Sequence, residues 1–554
     1  MPRTNPGTRT AIAAGLDSVR APVLTYAARA VLLGLGVIAT GGLLISVVVP
    51  SLNPGTAFGS IARVRVAAAP TGHLIGDHYL VPRVLSATDA TLYRKAFRLY
   101  DKGRRDDARA LLSQIKDRSL AVLLASQRRD AVELGDYKAT RSERRALTRA
   151  PAASTQRPAQ RLSRRARDPR ESAAARLLYK GQDRAALMLA KAGSMNPVSN
   201  WTAGIAAWRL GKIGSAARYF EAVAKARKLS DWSRAAGAYW AARAYLRDRK
   251  PERVNAFLAM AARYPRTFYG LLAARALGER PNFNWKVPKL DAAALDHLMA
   301  LPVGRRALAL VQIGETTRAM DALRSLARGA NRPLTEMILA VASRANMPDL
   351  LYEMGNRLRD TDGRPFDSAL FPLPNWQPAG GFSVDRALIF GIMRQESRFD
   401  PAALSPAGAR GLMQIMPPTA SFISGDRSLK TAGKSQLYDP RLNLSLAQKY
   451  VGDLLDEKPV HGNLVMLAAA YNGGIGNLVR WRRRIDSERD PLLFLESIPI
   501  RETRQYVERV MANLWMYRLR LRQPTPSLDA LAAGRMPVYR PLDARRVALR
   551  DGRR

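Results

Sequence analysis

One acidic side chain in this 554-residue sequence stands where its neighbours could keep a proton on it. Glu396 comes seven residues after Ile389, four after Ile392 and three after Met393. Val384, Leu388, Ile389, Ile392 and Met393 recur at the spacing of one buried helical face, which predicts a helix over 382–395. If the helix still runs at Glu396, its carboxyl shares the apolar side. Burial there disfavours the charged form and raises the pKa. A carboxyl protonated near neutral pH can donate to a leaving oxygen. Taken alone, such a glutamate would more simply cap the helix or pair with a neighbouring cation, so the residues that follow it decide.

Phe399-Asp400-Pro401 ends the helix, because the residue before a proline is pushed out of the helical region. Ser405 to Gly411 is a small, glycine-punctuated loop. Leu412 to Pro417 then mixes apolar bodies with one amide, Gln414. Such a wall suits a sugar ring, whose faces are apolar and whose rim needs hydrogen bonds. From Glu396 to Ala420 the sequence resembles the catalytic domain of the soluble lytic transglycosylases of bacterial cell walls. The shared residues are Glu396-Ser397, Phe399, Ser405, Gly408-Ala409, Gly411-Leu412-Met413-Gln414, Met416-Pro417 and Thr419-Ala420. Two later segments extend the resemblance. Ala470-Tyr471-Asn472-Gly473-Gly474 is similar to the family's A-Y-N-A-G motif, with Gly473 where alanine is usual. Glu496 to Val507 resembles an E-x-I-P-x-x-E-T-R-x-Y-V segment.

The resemblance implies a lysozyme-like domain that cuts peptidoglycan between N-acetylmuramic acid and N-acetylglucosamine. Glu396 would protonate the bridging oxygen and then, as a base, take the proton of the C6 hydroxyl, closing a 1,6-anhydro ring. One carboxyl suffices because the nucleophile belongs to the substrate, and no metal or other cofactor is called for. Ser405, Gln414 and Tyr471 would hold the acid and the sugar amides. Met413 and Met416 would line the groove, and Asn472 would support the loop after Tyr471. Glu496 would form the far wall as a second acidic contact. Asp400 and Asp439 read as turn and cap residues. Ordinary glycoside hydrolysis needs a second carboxylate, so a hydrolase with Glu496 or an ordered water as partner is the first alternative. A scaffold that only holds glycan strands is the second.

The rest of the chain must carry this domain. Its length implies two or three domains, and its wealth of Ala, Leu and Arg favours helices. The expected fold is all-α: an α-superhelical domain of helix pairs over 80–360, a linker over 361–381, the catalytic domain over 382–522 and a mobile basic tail over 523–554. Within the first part, Gly103, Gly181 and Gly211 are each followed five residues on by Ala108, Ala186 and Ala216. Each glycine stands where one helix could end and the next begin. The 30-residue gap between the last two fits a tetratricopeptide-like repeat. A Thr-Phe-Tyr-Gly segment at 267–270 also resembles the large members of the family. Residues 140–170, rich in Arg and poor in large apolar residues, read as a disordered basic insertion.

Arginines at 3, 9, 20 and 29 precede an uncharged run over 30–49 that is long enough to span a bilayer. Residues 1–59 therefore read as a signal peptide or inner-membrane anchor with its linker, and the expected location is the periplasm of a Gram-negative bacterium. No cysteine is present, so disulfide and thiolate chemistry are excluded. The net charge of +43 favours a polyanion. Peptidoglycan with its stem-peptide carboxylates is such a partner. Nucleic acid is not expected, since zinc-finger spacing, RNP-like aromatics and a phosphate loop are all missing. Protein partners of the superhelix are left open.

Overall fold

A computed structural model describes residues 83–124, 169–193, 195–485 and 490–543. The uncharged run at 30–49, nearly all of the basic insertion and residues 544–554 lie outside these. Among the described residues no helix is long and apolar enough to cross a membrane.

The all-α expectation holds, and only isolated β-bridges occur among the described residues. Helices come in antiparallel pairs: Ala87–Asp101 with Arg105–Ala110, Pro169–Tyr179 with Asp183–Ala192, and Pro197–Arg209 with Ile213–Lys225. The turn glycines Gly103, Gly181 and Gly211 have φ of 79°, 77° and 72°, a region open to glycine at no steric cost. The alanine five residues on is fully buried in each pair, so the second helix can approach the first closely. Gly314 and Ala319 repeat the arrangement between Pro302–Ile313 and Thr316–Ala327, a pair the sequence reading did not single out.

Two cores divide the described chain. One joins Leu85 to Leu124 with helices between Leu298 and Ala369. Gln312 fixes that meeting, because its Oε1 accepts from the amides of Val84 and Leu85. The other core is continuous from the helix pairs around Trp208 and Trp240 into the domain that carries Glu396.

Two expectations about connections are corrected. Residues 361–381 are no free linker: Phe366 to Phe371 is a buried strap. Arg266 grips Asp367 with two nitrogens, at 2.6 and 2.8 Å, and the Asn284 amide donates to the same carboxylate. The prolines and paired glycines suggested looseness, but partners about a hundred residues away hold the segment. Nor are residues 523–543 a mobile tail. Pro526–Ala532 is a helix, and the chain then returns over the domain. There Asp385 and Arg518, both almost unexposed, pair at 2.9 Å, while Asp385 also accepts from the amides of Leu542 and Asp543.

A buried pair broken on one side leaves an uncompensated charge, at a cost of about 3–5 kcal/mol. Asp385→Ala is therefore expected to lower stability by that order in denaturant titrations. Asp385→Leu combined with Arg518→Met should recover most of the loss. A single variant within about 0.5 kcal/mol of wild type would show that the pair does not hold the C-terminal segment.

Candidate active site

The acid helix, Arg386–Glu396, ends on its acid. It is buried from Ala387 to Met393 and so is covered all round, not on the single face that the spacing predicted. It lies against the long helix Arg501–Arg520 so closely that a Cβ on Gly391 would stand 3.1 Å from the Leu514 nitrogen. After Glu396 the backbone reverses sharply. Arg398 and Phe399 have φ of 55° and 70°, a left-handed region unfavourable to bulky residues. Burying the whole Phe399 ring offsets that strain, and Ser397 Oγ accepts from the Phe399 amide at 3.1 Å. Glu396 thus stands at a helix C-terminus, whose exposed carbonyls disfavour a negative charge.

The Glu396 carboxyl is only partly exposed. Its Oε1 accepts a hydrogen bond of 2.6 Å from Tyr506 Oη. Burial pushes its pKa up to about 7, the Tyr506 hydrogen bond opposes the rise, and the nearby charge of Glu502 adds to it. Burial also raises the Tyr506 hydroxyl well above its ordinary value, so it stays a donor. Tyr471 stacks on Tyr506 with ring centroids 6.4 Å apart and planes 8° from parallel, and Tyr450 packs against Tyr471 at 5.5 Å. The resulting ladder of three tyrosines backs the acid.

The wall opposite is built from its own backbone. Gly411 (φ 73°) admits no side chain, since a Cβ there would meet Leu437 O at 2.3 Å and Asn443 Nδ2 at 2.6 Å. Asn443 is fully buried and uses its whole amide: Oδ1 accepts from the Met413 amide, and Nδ2 donates to Arg410 O and Leu437 O. Asp439 caps the following helix by accepting from Leu442 N, which settles which of the two residues does so.

The expected site residues divide. Tyr471 lies at the site, but its hydroxyl donates to Met413 O at 2.9 Å and not to the acid. Gln414, with φ 49°, donates from Nε2 to Ala403 O and Gly411 O, so the amide is spent on the loop. Ser405 Oγ accepts from the Ala409 amide and shapes the same loop. Asn472 accepts from Thr503 Oγ1 at 2.7 Å, tying the turn to the long helix. Met416 is 37% exposed and free to meet a ligand. Met413 is not: its side chain is fully buried and only its carbonyl serves the site. Glu496 is also corrected, because a carboxyl that is 3% exposed cannot wall an open groove. It accepts a 2.5 Å hydrogen bond from Tyr269 of the helix pairs. Gly473 proves a packing requirement, for a Cβ there would lie 2.6 Å from the Trp481 ring. Sequence reasoning missed Tyr506 and Glu502. Both lie in the segment that had been set apart, but a contact across 110 residues leaves no local mark. Among the described residues no group of three or more His, Cys, Asp or Glu side chains could hold a metal ion.

Comparison with known proteins places this arrangement. Residues 376–493 match the transglycosylase SLT domain. The soluble lytic murein transglycosylase of Salmonella typhimurium is 29% identical over 256 residues, 46% of this chain and 39% of that protein. That of Escherichia coli K12 is 34% identical over 156 residues, 28% of this chain and 24% of that protein. The chain thus matches well under half the length of these relatives. Among solved structures, an inactive glutamate-to-glutamine mutant of the lytic transglycosylase Slt from Pseudomonas aeruginosa superposes with a TM-score of 0.51 at 26% identity, over 64% of this chain and 58% of that one. A 70-kDa soluble lytic transglycosylase in complex with bulgecin A gives 0.53 at 22% identity, over 82% and 68%, a likeness of fold.

Two outcomes follow from the buried carboxyls. A hydrogen bond to a charged group contributes about 1.5–3 kcal/mol, so Tyr506→Phe should move the Glu396 titration upward by about one pH unit. Infrared difference spectra of the carboxyl stretch, referenced to Glu396→Gln, would read it; an unmoved midpoint would remove Tyr506 from the site. The second concerns Glu508, pushed up to about 8 by burial and by the charge of Glu496, itself raised by burial. Acids raised in the folded state contribute stability that is whole below their unfolded values and lost as pH rises through the folded ones. Melting temperature should therefore fall between pH 5 and pH 9. Glu508→Gln should reduce that fall by an amount on the order of 1 kcal/mol, and an unchanged pH slope would refute the assignment.

Proposed function

We propose, on the premise that residues 376–493 belong to the transglycosylase SLT domain family, that this protein is a lytic transglycosylase of peptidoglycan. It cleaves the β-1,4 bond between N-acetylmuramic acid and N-acetylglucosamine without water and leaves a 1,6-anhydro end. The observation that carries this reading is Glu396, a single carboxyl kept protonated near neutral pH by burial and held by Tyr506.

Glu396 gives its proton to the bridging oxygen, and the bond from C1 to that oxygen breaks. N-acetylglucosamine leaves with a free 4-hydroxyl. The acetamido oxygen of the muramic acid residue shares the positive charge at C1. Glu396, now a carboxylate, takes the proton of the C6 hydroxyl, and O6 bonds to C1. The acid is restored and no atom of water enters. Tyr506 donates to the carboxylate while it is charged, which steadies the half of the cycle that burial disfavours. Because O6 is tethered to C1, proximity supplies much of the rate. Met416 lies exposed along the wall where a sugar face would rest. The inactive glutamate-to-glutamine relative fits one essential carboxyl.

A hydrolytic reading needs a base for water. The burial of Glu496 removes the candidate first considered, and the exposed Glu502 is the carboxylate that remains. In either reading the protein works at the cell envelope, on the periplasmic side of a Gram-negative inner membrane, released or held there through residues 30–49. The excess positive charge attracts a wall rich in carboxylates.

Mass spectrometry of muropeptides released from purified sacculi tests the proposal. The protein should release anhydro-muropeptides, and Glu396→Gln should release none above background. Products heavier by one water would replace the transglycosylase reading with the hydrolytic one. Sacculus binding without release by either protein would replace both with a scaffold.

A further inference from the structure

Two residues before the acid, Arg394 is a buried cation, and burial lowers its pKa. Among the described residues no carboxylate pairs with it. Its Nε donates to Leu370 O at 2.8 Å, and its Nη1 to Asn513 Oδ1 at 2.6 Å. Its guanidinium lies 4.2 Å from the Phe371 ring centroid and 4.9 Å from that of Tyr352. Aromatic faces and a carbonyl are a costly replacement for water or a carboxylate, so a neutral residue would be the simpler choice for stability alone.

The partners of this side chain define what it joins. Asn513 sits on the long helix and returns a hydrogen bond of 3.0 Å to Gly391 O, at the place where the two helices approach most closely. Leu370 and Phe371 belong to the buried strap, and Tyr352 to the helix Pro348–Gly355. The strap is fastened from both sides. Arg520 of the long helix donates to Ser368 O and Phe371 O. Arg266 and Asn284, from the region of paired helices, hold Asp367, and Ser368 Oγ donates to Lys286 O. Residues two apart on an α-helix point roughly 200° apart. Arg394 and Glu396 therefore leave the same helical turn on opposite sides, and the Glu396 carboxyl takes its raised pKa from burial and Glu502, with Arg394 not among the causes.

We propose that Arg394 is a positioning residue: it bolts the last turn of the acid helix to the strap 366–371, so that the region of paired helices sets where Glu396 stands. This rests on the transglycosylase reading, in which Glu396 must reach first the bridging oxygen and then the C6 hydroxyl. Such a two-stage role tolerates little displacement of the helix end.

The test uses the full chain with three variants. Arg394→Met keeps the volume and removes the donors. Arg394→Lys keeps the charge and loses the two-point grip. Arg266→Lys loosens the strap from the paired-helix side without touching the acid helix. With turnover of purified sacculi as the assay, kcat should fall tenfold or more in both Arg394 variants and about threefold in Arg266→Lys. KM should stay within twofold, and the infrared titration midpoint of Glu396 should stay at its wild-type position. A kcat within twofold of wild type in Arg394→Lys overturns the two-point grip. A kcat loss in Arg394→Met that parallels a loss of folded protein, with Arg266→Lys unchanged, overturns positioning in favour of plain stability. A shifted Glu396 midpoint overturns it in favour of a charge effect. Wild-type protein that releases no muropeptide overturns the transglycosylase reading instead, which the Glu396 midpoint distinguishes, since that can be measured without turnover.

Discussion

The structure depends on the contact between two helices, one ending in Glu396 and the other carrying Tyr506. Gly391 allows the backbones to meet at a distance that a side chain would strain. The buried surface of that contact desolvates the carboxyl, and the partner helix supplies the one hydroxyl that holds it. Desolvation and a hydrogen bond act on the acid in opposite senses. Their balance leaves it near neutrality, able both to give and to accept a proton. A site with burial alone would hold the proton too tightly to act as a base-forming acid, and one with hydrogen bonds alone would stay ionised.

Around this contact the polar groups serve the backbone more than they serve a ligand. Asn443, Gln414, Ser405 and Asn472 each spend their hydrogen bonds on loops, and Tyr471 spends its hydroxyl on the carbonyl of Met413. Their common effect is rigidity. The left-handed conformations of Arg398, Phe399 and Gln414 are held in place by these bonds and by the buried Phe399 ring. What the geometry leaves open to a polymer is a partly exposed acid, an exposed Met416 and the backbone of a fixed wall.

The paired helices are part of this construction and not an appendage to it. One continuous core runs from them into the catalytic domain. Glu496, expected in the groove, lies instead in their seam, bonded to Tyr269. The strap that looked like a linker is clamped by arginines from both sides. Separating the two regions would expose buried carboxylates and unpaired guanidinium groups, each costly to leave without partners.

The sequence by itself determined a good deal. Helical periodicity, the turn glycines with their following alanines and the glutamate against an apolar face are local patterns, written within a few residues, and they fixed the all-α class and the acid. The spacing of the residues after Glu396 identified the wall. Only the tertiary structure decided which side chain meets which. Tyr506 reaches Glu396 across 110 residues, while Met413 turned inward and Glu496 was enclosed. The same holds for the strap and for residues 523–543, which lack periodicity and are ordered by distant ion pairs and backbone bonds. Burial and partnership of a polar group are properties of the assembled chain, because they depend on what other segments bring to the same place. A motif names the residues, and the fold assigns each one to the ligand or to the scaffold.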